Sequence, residues 1–77
     1  MKLYVGNLSK EITEPALRES FEKYGEIISL NIVMDKYTRK PKGFAFIEMA
    51  DEYALEAITG LHGQNLAGNL LNVNKAR

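Results

Sequence analysis

The apolar residues of this chain switch between two spacings. Between Lys2 and Asn7, the β-favouring Leu3, Tyr4 and Val5 predict a short strand that Gly6-Asn7 closes. The spacing then lengthens: Leu17, Phe21 and Tyr24 fall on one face of a helix. Thr13 is placed to cap it, because its hydroxyl can accept a free backbone N–H of the first turn. Glu14 and Pro15 suit that turn, where an acid meets the positive helix end and Pro forfeits no hydrogen bond. Ile12 and Leu17 have the spacing of a hydrophobic staple. Gly25 is expected to end the helix in a left-handed conformation.

Ile27 to Met34, rich in Ile, Leu and Val, predicts a second strand, and the polar Asp35 to Pro41 a loop. Lys42 to Met49 predicts a third strand. Asp51 is expected to cap a second helix, whose Ala54, Ala57, Ile58 and Leu61 form an i, i+3, i+4, i+7 stripe. Gly60 weakens its last turn and Gly63 marks its exit. Gln64 to Asn69 then connects to a last strand, Leu70 to Asn74. The order βαββαβ predicts an α+β fold, a ferredoxin-like sandwich. Its four-stranded antiparallel sheet carries both helices on one face and leaves the other to water. There is no repeat or linker, so residues 1–77 are expected to form one domain.

Composition narrows the classes. A chain of 77 residues is expected to bury about 60% of its unfolded surface, enough for one small core. It has no Cys, which removes disulfides and thiolate metal sites. No apolar run approaches the ~18 residues of a membrane span. The first residues are too soon interrupted by polar ones to be a secretory signal. The cytosol is the expected compartment, and no membrane, metal or cofactor is expected.

The third strand carries an anomaly. Alternation puts Ala45, Ile47 and Met49 on one face and Lys42, Phe44, Phe46 and Glu48 on the other. The small and aliphatic set suits the covered side. Two Phe then lie on the face that should be wet. On the first strand Leu3 and Val5 look inward, so Lys2, Tyr4 and Gly6 share the wet face. The bland reading is the reverse phase, with Phe44 and Phe46 in the core. The favoured one is an exposed aromatic patch rimmed by charge, which marks a binding surface.

These residues resemble a known family. Lys42-Gly43-Phe44-Ala45-Phe46-Ile47-Glu48-Met49 is similar to the octamer of the RNA recognition motif. Leu3-Tyr4-Val5-Gly6-Asn7-Leu8 looks like its companion hexamer, and the resemblance covers essentially the whole chain. Gly25, Gly63, Leu71, Val73 and Ala76 also look like family positions. Two positions depart from the pattern. Met49 ends the octamer in place of an aromatic, on the core side, where it can fill the volume. Asn69 stands where many members carry an Arg, which removes a candidate phosphate contact. In its compactness the chain looks like the small single-motif proteins of bacteria or a plant glycine-rich RNA-binding protein without its tail.

The resemblance implies that Tyr4 and Phe46 each stack under a base. Phe44 would lie against the sugars between them, and Lys42 would meet the intervening phosphate. The implied partner is single-stranded RNA, because bases in a duplex hide their faces. Single-stranded DNA stays open, since stacking does not read the 2′-hydroxyl. Asn31, Val33, Asn72 and Asn74 should share the open face, and amides can meet base edges. The family also implies contacts from the end of the chain, here Asn74, Lys75 and Arg77. Lys36, Arg39, Lys40 and Lys42 form a basic cluster with no acid among them, and Lys2 adds to it. The helical regions are acidic instead, so a neutral chain is expected to be dipolar, with base around the sheet. Tyr37 can stack on a flanking base or be a plain loop Tyr. Glu48 runs against the pattern. Lys2 is expected beside it, which makes Glu48 an element of register or specificity, or a plain surface residue.

Enzyme readings find little support. His62 is the only His, placed as a cap near the end of the second helix. No phosphate-binding glycine loop occurs, and Asn7-Leu8-Ser9-Lys10 lacks the Arg that an acyl-phosphate hydrolase of this fold would need. The runner-up is a protein-interaction module of the same fold. Retention of all three sheet aromatics favours nucleic acid. A monomer is expected, though self-association through the aromatic face stays open.

Overall fold

A computed structural model describes residues 1–76. The elements in order are β1 (Lys2–Gly6), α1 (Glu14–Glu22), β2 (Ile27–Met34), β3 (Pro41–Met49), α2 (Asp51–Leu61), β4 (Asn65–Leu66), β5 (Asn69–Leu70) and β6 (Asn72–Lys75). Four of the strands form an antiparallel sheet in the order β2-β3-β1-β6. The fold class is the expected one: a four-stranded sheet with two helices.

The core explains why both helices lie on one side. Leu3, Val5, Ala45, Ile47, Met49 and Val73 point from the sheet to the same side. They meet Leu17 and Phe21 of α1 and Ala54 and Ala57 of α2, and all ten are fully buried. Each large apolar side chain so buried contributes about 1.5–3 kcal/mol. Small Ala on α2 lets that helix approach the sheet closely. Ile12, ahead of α1, is buried as the staple predicts.

The helix ends correct two expectations. Thr13 does cap α1, its Oγ1 accepting the Ala16 N–H at 3.4 Å. Gly25, however, is not left-handed. The helix has already closed through Lys23, whose backbone is still right-handed. What Gly25 supplies is space: a Cβ there would come within 2.6 Å of the Tyr53 Cβ of α2. Asp51 does not cap α2. That position belongs to Ala50, whose backbone is extended and whose side chain has no acceptor. Asp51 is the first helical residue, and its carboxylate meets the N-terminal ammonium at 2.9 Å.

The connection to the last strand holds more structure than expected. Residues 65–70 form a two-stranded hairpin, β4 with β5, turned by Ala67 and Gly68 at φ 54° and 90°. Two left-handed residues in succession match the natural twist of paired strands. Leu70 therefore belongs to this hairpin, and β6 begins at Asn72 instead. Strands of two residues are too short to announce a period. The segment before the hairpin also covers the outer edge of β6. Gly63 N–H donates to Leu71 O, and Leu71 N–H donates to Gln64 O, both at 2.8 Å. His62 is the cap of α2, and its Nδ1 accepts the Val73 N–H at 3.1 Å. The edge is thus largely occupied, which blunts pairing with another chain.

Candidate nucleic-acid interface

Three rings stand on the face that the helices leave uncovered. Tyr4 of β1 is directly opposite Phe46 of β3, and Phe44 lies two residues before Phe46. Of the two phases that alternation allows, the favoured one is adopted: Ala45, Ile47 and Met49 are buried on the other face. Tyr4, Phe44 and Phe46 form a triangle with every pair of ring centroids 6.0 Å apart. Tyr4 and Phe44 are tilted by 30°, near stacking, while Phe46 meets both edge-on. Each ring is half-buried, so the patch is partly self-covered. Such pairs add about 0.5–1.5 kcal/mol beyond the area they cover.

Amides flank the rings in register. Asn31 of β2 pairs with Phe46, and Asn74 of β6 pairs with Tyr4. The row Asn31, Phe46, Tyr4, Asn74 therefore crosses the whole sheet. Asn72 pairs with Gly6 one step along, and its Oδ1 accepts from Asn74 Nδ2 at 2.7 Å. The pair keeps a free amide donor on Asn72 and a free carbonyl on Asn74. Val33 follows two residues after Asn31, where the pairing of β2 with β3 is irregular between Ile32 and Met34, and it has no cross-strand partner there.

Lys2 is positioned by β1 opposite Glu48, as expected. Its ammonium does not pair with that carboxylate. It stands over the ring of Phe46 instead, 5.4 Å from the centroid.

The basic cluster gathers at the Phe44 end of the sheet. Lys40 and Lys42 line a 520 Å³ cleft with Lys10, Asp35, Thr38, Pro41 and Phe44. Lys10 was not singled out from the sequence. It follows the first strand and carries no periodic signal. The Leu8 N–H donates to Gly43 O at 2.8 Å and so brings that segment to the start of β3. Gly43 has φ 113°, which no side chain tolerates well, and this explains its place in the octamer.

The loop before β3 is built on Asp35. Its Oδ1 accepts N–H bonds from Tyr37 at 2.8 Å and Thr38 at 3.1 Å, and the Arg39 N–H donates to Asp35 O at 2.7 Å. The backbone donors of Thr38 and then Tyr37, with nearby Lys42 and Lys10, hold the Asp35 carboxyl below its ordinary pKa. Arg39 sits at the loop tip with φ 60°, exposed and apart from the cleft. Tyr37 is 85% exposed, with the Lys36 ammonium 5.3 Å from its ring centroid.

Two expected contacts are not in the row. Lys75 pairs with Leu3, so alternation turns it to the helix side of the sheet, exposed at its margin. Arg77 lies outside the described residues. Asn69, the departure noted above, is tied into the fold: its Nδ2 donates to Asn7 O at 3.2 Å, while Asn7 Nδ2 donates to Leu70 O at 2.7 Å.

The RNA recognition motif model matches residues 3–72. The chain belongs to that family. It is 47% identical to the chloroplastic organelle RRM domain-containing protein 6 of Arabidopsis thaliana, over 99% of this chain and 42% of that protein. It is 37% identical to the mitochondrial glycine-rich RNA-binding protein 3 of the same plant, over 97% of this chain and 25% of that protein. The chain thus spans less than half the length of these curated relatives. The fold of a Sxl-lethal protein solved in complex with RNA superposes with a TM-score of 0.92 at 41% identity, covering 97% of this chain and 47% of that one. The family and these relatives are named for RNA binding, not for catalysis. Both Arabidopsis relatives are named for organelles, so they lend no support to the cytosol. No described helix is long and apolar enough to cross a membrane.

Proposed function

We propose that this domain binds single-stranded RNA on its open sheet face, as a monomer and with low sequence specificity. The observation that carries the reading is the ring triangle, with all three centroid separations 6.0 Å, flanked by amides and a basic end. Every base has a π-face, and a stack on an aromatic ring contributes about 1–3 kcal/mol. Stacks on Tyr4 and Phe46 give roughly 2–6 kcal/mol. Phosphate contacts from Lys2, Lys42 and the cleft lysines bring the total near −7 kcal/mol, a Kd of about 10 μM. Binding of two to four nucleotides with marked salt sensitivity follows. On transcripts, such a domain suits a post-transcriptional regulatory or RNA-chaperone role.

An amide titration tests this with a degenerate RNA pool and the same pool as DNA. Shifts should appear at Tyr4, Lys42 to Phe46 and Asn72 to Asn74. A folded Phe44→Ala, Phe46→Ala variant should lose them. The RNA–DNA difference reports whether the 2′-hydroxyl is read. Absence of shifts at near-millimolar RNA and low salt would sink the reading and leave a protein interface as the use of the rings.

A further inference from the structure

Glu48 is the only acidic residue in the four strands of the main sheet. It is exposed and shares the open face with Phe46, two residues before it on β3. Its cross-strand partners are Lys2 on one side and Ser29 on the other. The ammonium best placed to neutralise it leans over Phe46 instead. Among the described residues the Glu48 carboxylate makes no ion pair. On a surface that collects phosphate, an unpaired carboxylate lowers affinity for every polyanion. Its chemistry therefore points to a different group on the ligand.

An ionised carboxylate only accepts hydrogen bonds, through two oxygens side by side. Its matching base edge has two N–H donors side by side. Guanine presents that pair on its Watson–Crick edge, N1–H and N2–H. Uracil has one N–H between two carbonyls. Adenine and cytosine set one exocyclic amine beside a ring acceptor, which a carboxylate repels. Phe46 and Glu48 are about 7 Å apart along the strand, a gap that a Glu side chain and the edge of a stacked base can span together.

We propose that Glu48 selects guanine for the base stacked on Phe46. The inference rests on the RNA-binding reading above and adds to it a specificity the rings cannot supply. Two parallel bonds to a carboxylate are charge-assisted, and a good bidentate base contact corresponds to about tenfold discrimination or more.

The test uses four uridine-rich tetranucleotides, identical except for guanine, inosine, adenine or uracil at one position. Inosine keeps the N1–H of guanine and lacks only the 2-amino group. Affinities are measured for wild type and for Glu48→Gln, with melting to verify that the variant folds as its exposure predicts. Wild type should bind the guanine oligonucleotide about tenfold more tightly than the inosine one. Glu48→Gln should bind both within about twofold, and should bind all-uridine RNA more tightly than wild type, because a like charge is gone. Equal affinity of wild type for guanine and inosine overturns the proposal. So does a guanine preference that survives in Glu48→Gln. Failure of all four RNAs to bind either protein would overturn the RNA-binding reading itself.

Discussion

The ring of Tyr4 lies along β1 over Gly6, so close that a Cβ on Gly6 would stand 2.7 Å from both Cε1 and Oη of Tyr4. The two residues share one face of the strand, and the missing side chain lets the ring rest on the sheet. Gly6→Ala should lift the far end of the ring. The cost in stability should be small, because that end can move. The cost in binding should approach that of one lost stack, about 1–3 kcal/mol. Thermal melting and RNA titration of the same variant separate the two. Wild-type affinity in Gly6→Ala would show that the pose over Gly6 does not present the stacking surface.

Phe46 and Lys42 should fail in different ways. Phe46→Ala removes a half-buried ring outside the main core, so the fold should persist while affinity falls by about 1–3 kcal/mol. Lys42→Ala should weaken binding to all sequences and lower the slope of log K against log salt by about one. Titrations at several salt concentrations distinguish a stacking loss, which leaves the slope unchanged, from a lost phosphate contact.

Gly25 and Tyr53 make a prediction about stability alone. Gly25→Ala would press a methyl group against the root of the Tyr53 side chain, which cannot swing away as a ring tip can. Overpacking of this kind typically costs about 1–3 kcal/mol. A lowered melting temperature with unchanged RNA affinity per folded molecule is expected. Unchanged melting would show that the end of α1 yields freely.

Asp35 links pH to the order of the basic loop. Its folded pKa lies below the ordinary 3.8, mainly because the Thr38 and Tyr37 amides donate to the carboxylate. A depressed carboxyl adds stability that is fully present above the unfolded pKa and is lost as pH falls through the folded one. The loop should hold at neutral pH and loosen only in acid. Amide shifts of Tyr37 and Thr38 should titrate with a midpoint below 3.8. A midpoint at or above that value would contradict the turn described here.

Much of the interface was legible along the chain because it lies on strands. A side chain on a strand alternates faces with a period of two, so spacing grouped Phe44 with Phe46 and Lys2 with Tyr4, while the family resemblance chose the open face for the group. Asn31 and Asn74 followed the same rule, and the register brings both beside the rings. Lys75 was carried by the resemblance rather than by the period, and alternation turns it to the other side. Lys10 sits outside any regular element, where no period applies.

By itself the sequence determined the four main strands and two helices in order and the three rings that share one sheet face, because these depend on local spacing and on which side chains avoid water; the short β4–β5 hairpin carried no such period. Only the tertiary structure decided what depends on distance between segments remote along the chain. It set the 6.0 Å triangle, the Lys2 ammonium over Phe46 in place of a pair with Glu48, and Gly25 against Tyr53. It also placed Asp51 on the N-terminal ammonium and Asn69 on Asn7. Each of these is a choice between partners that a residue could equally have taken. That choice is made by packing, where close approach and register leave room for one arrangement and exclude the rest.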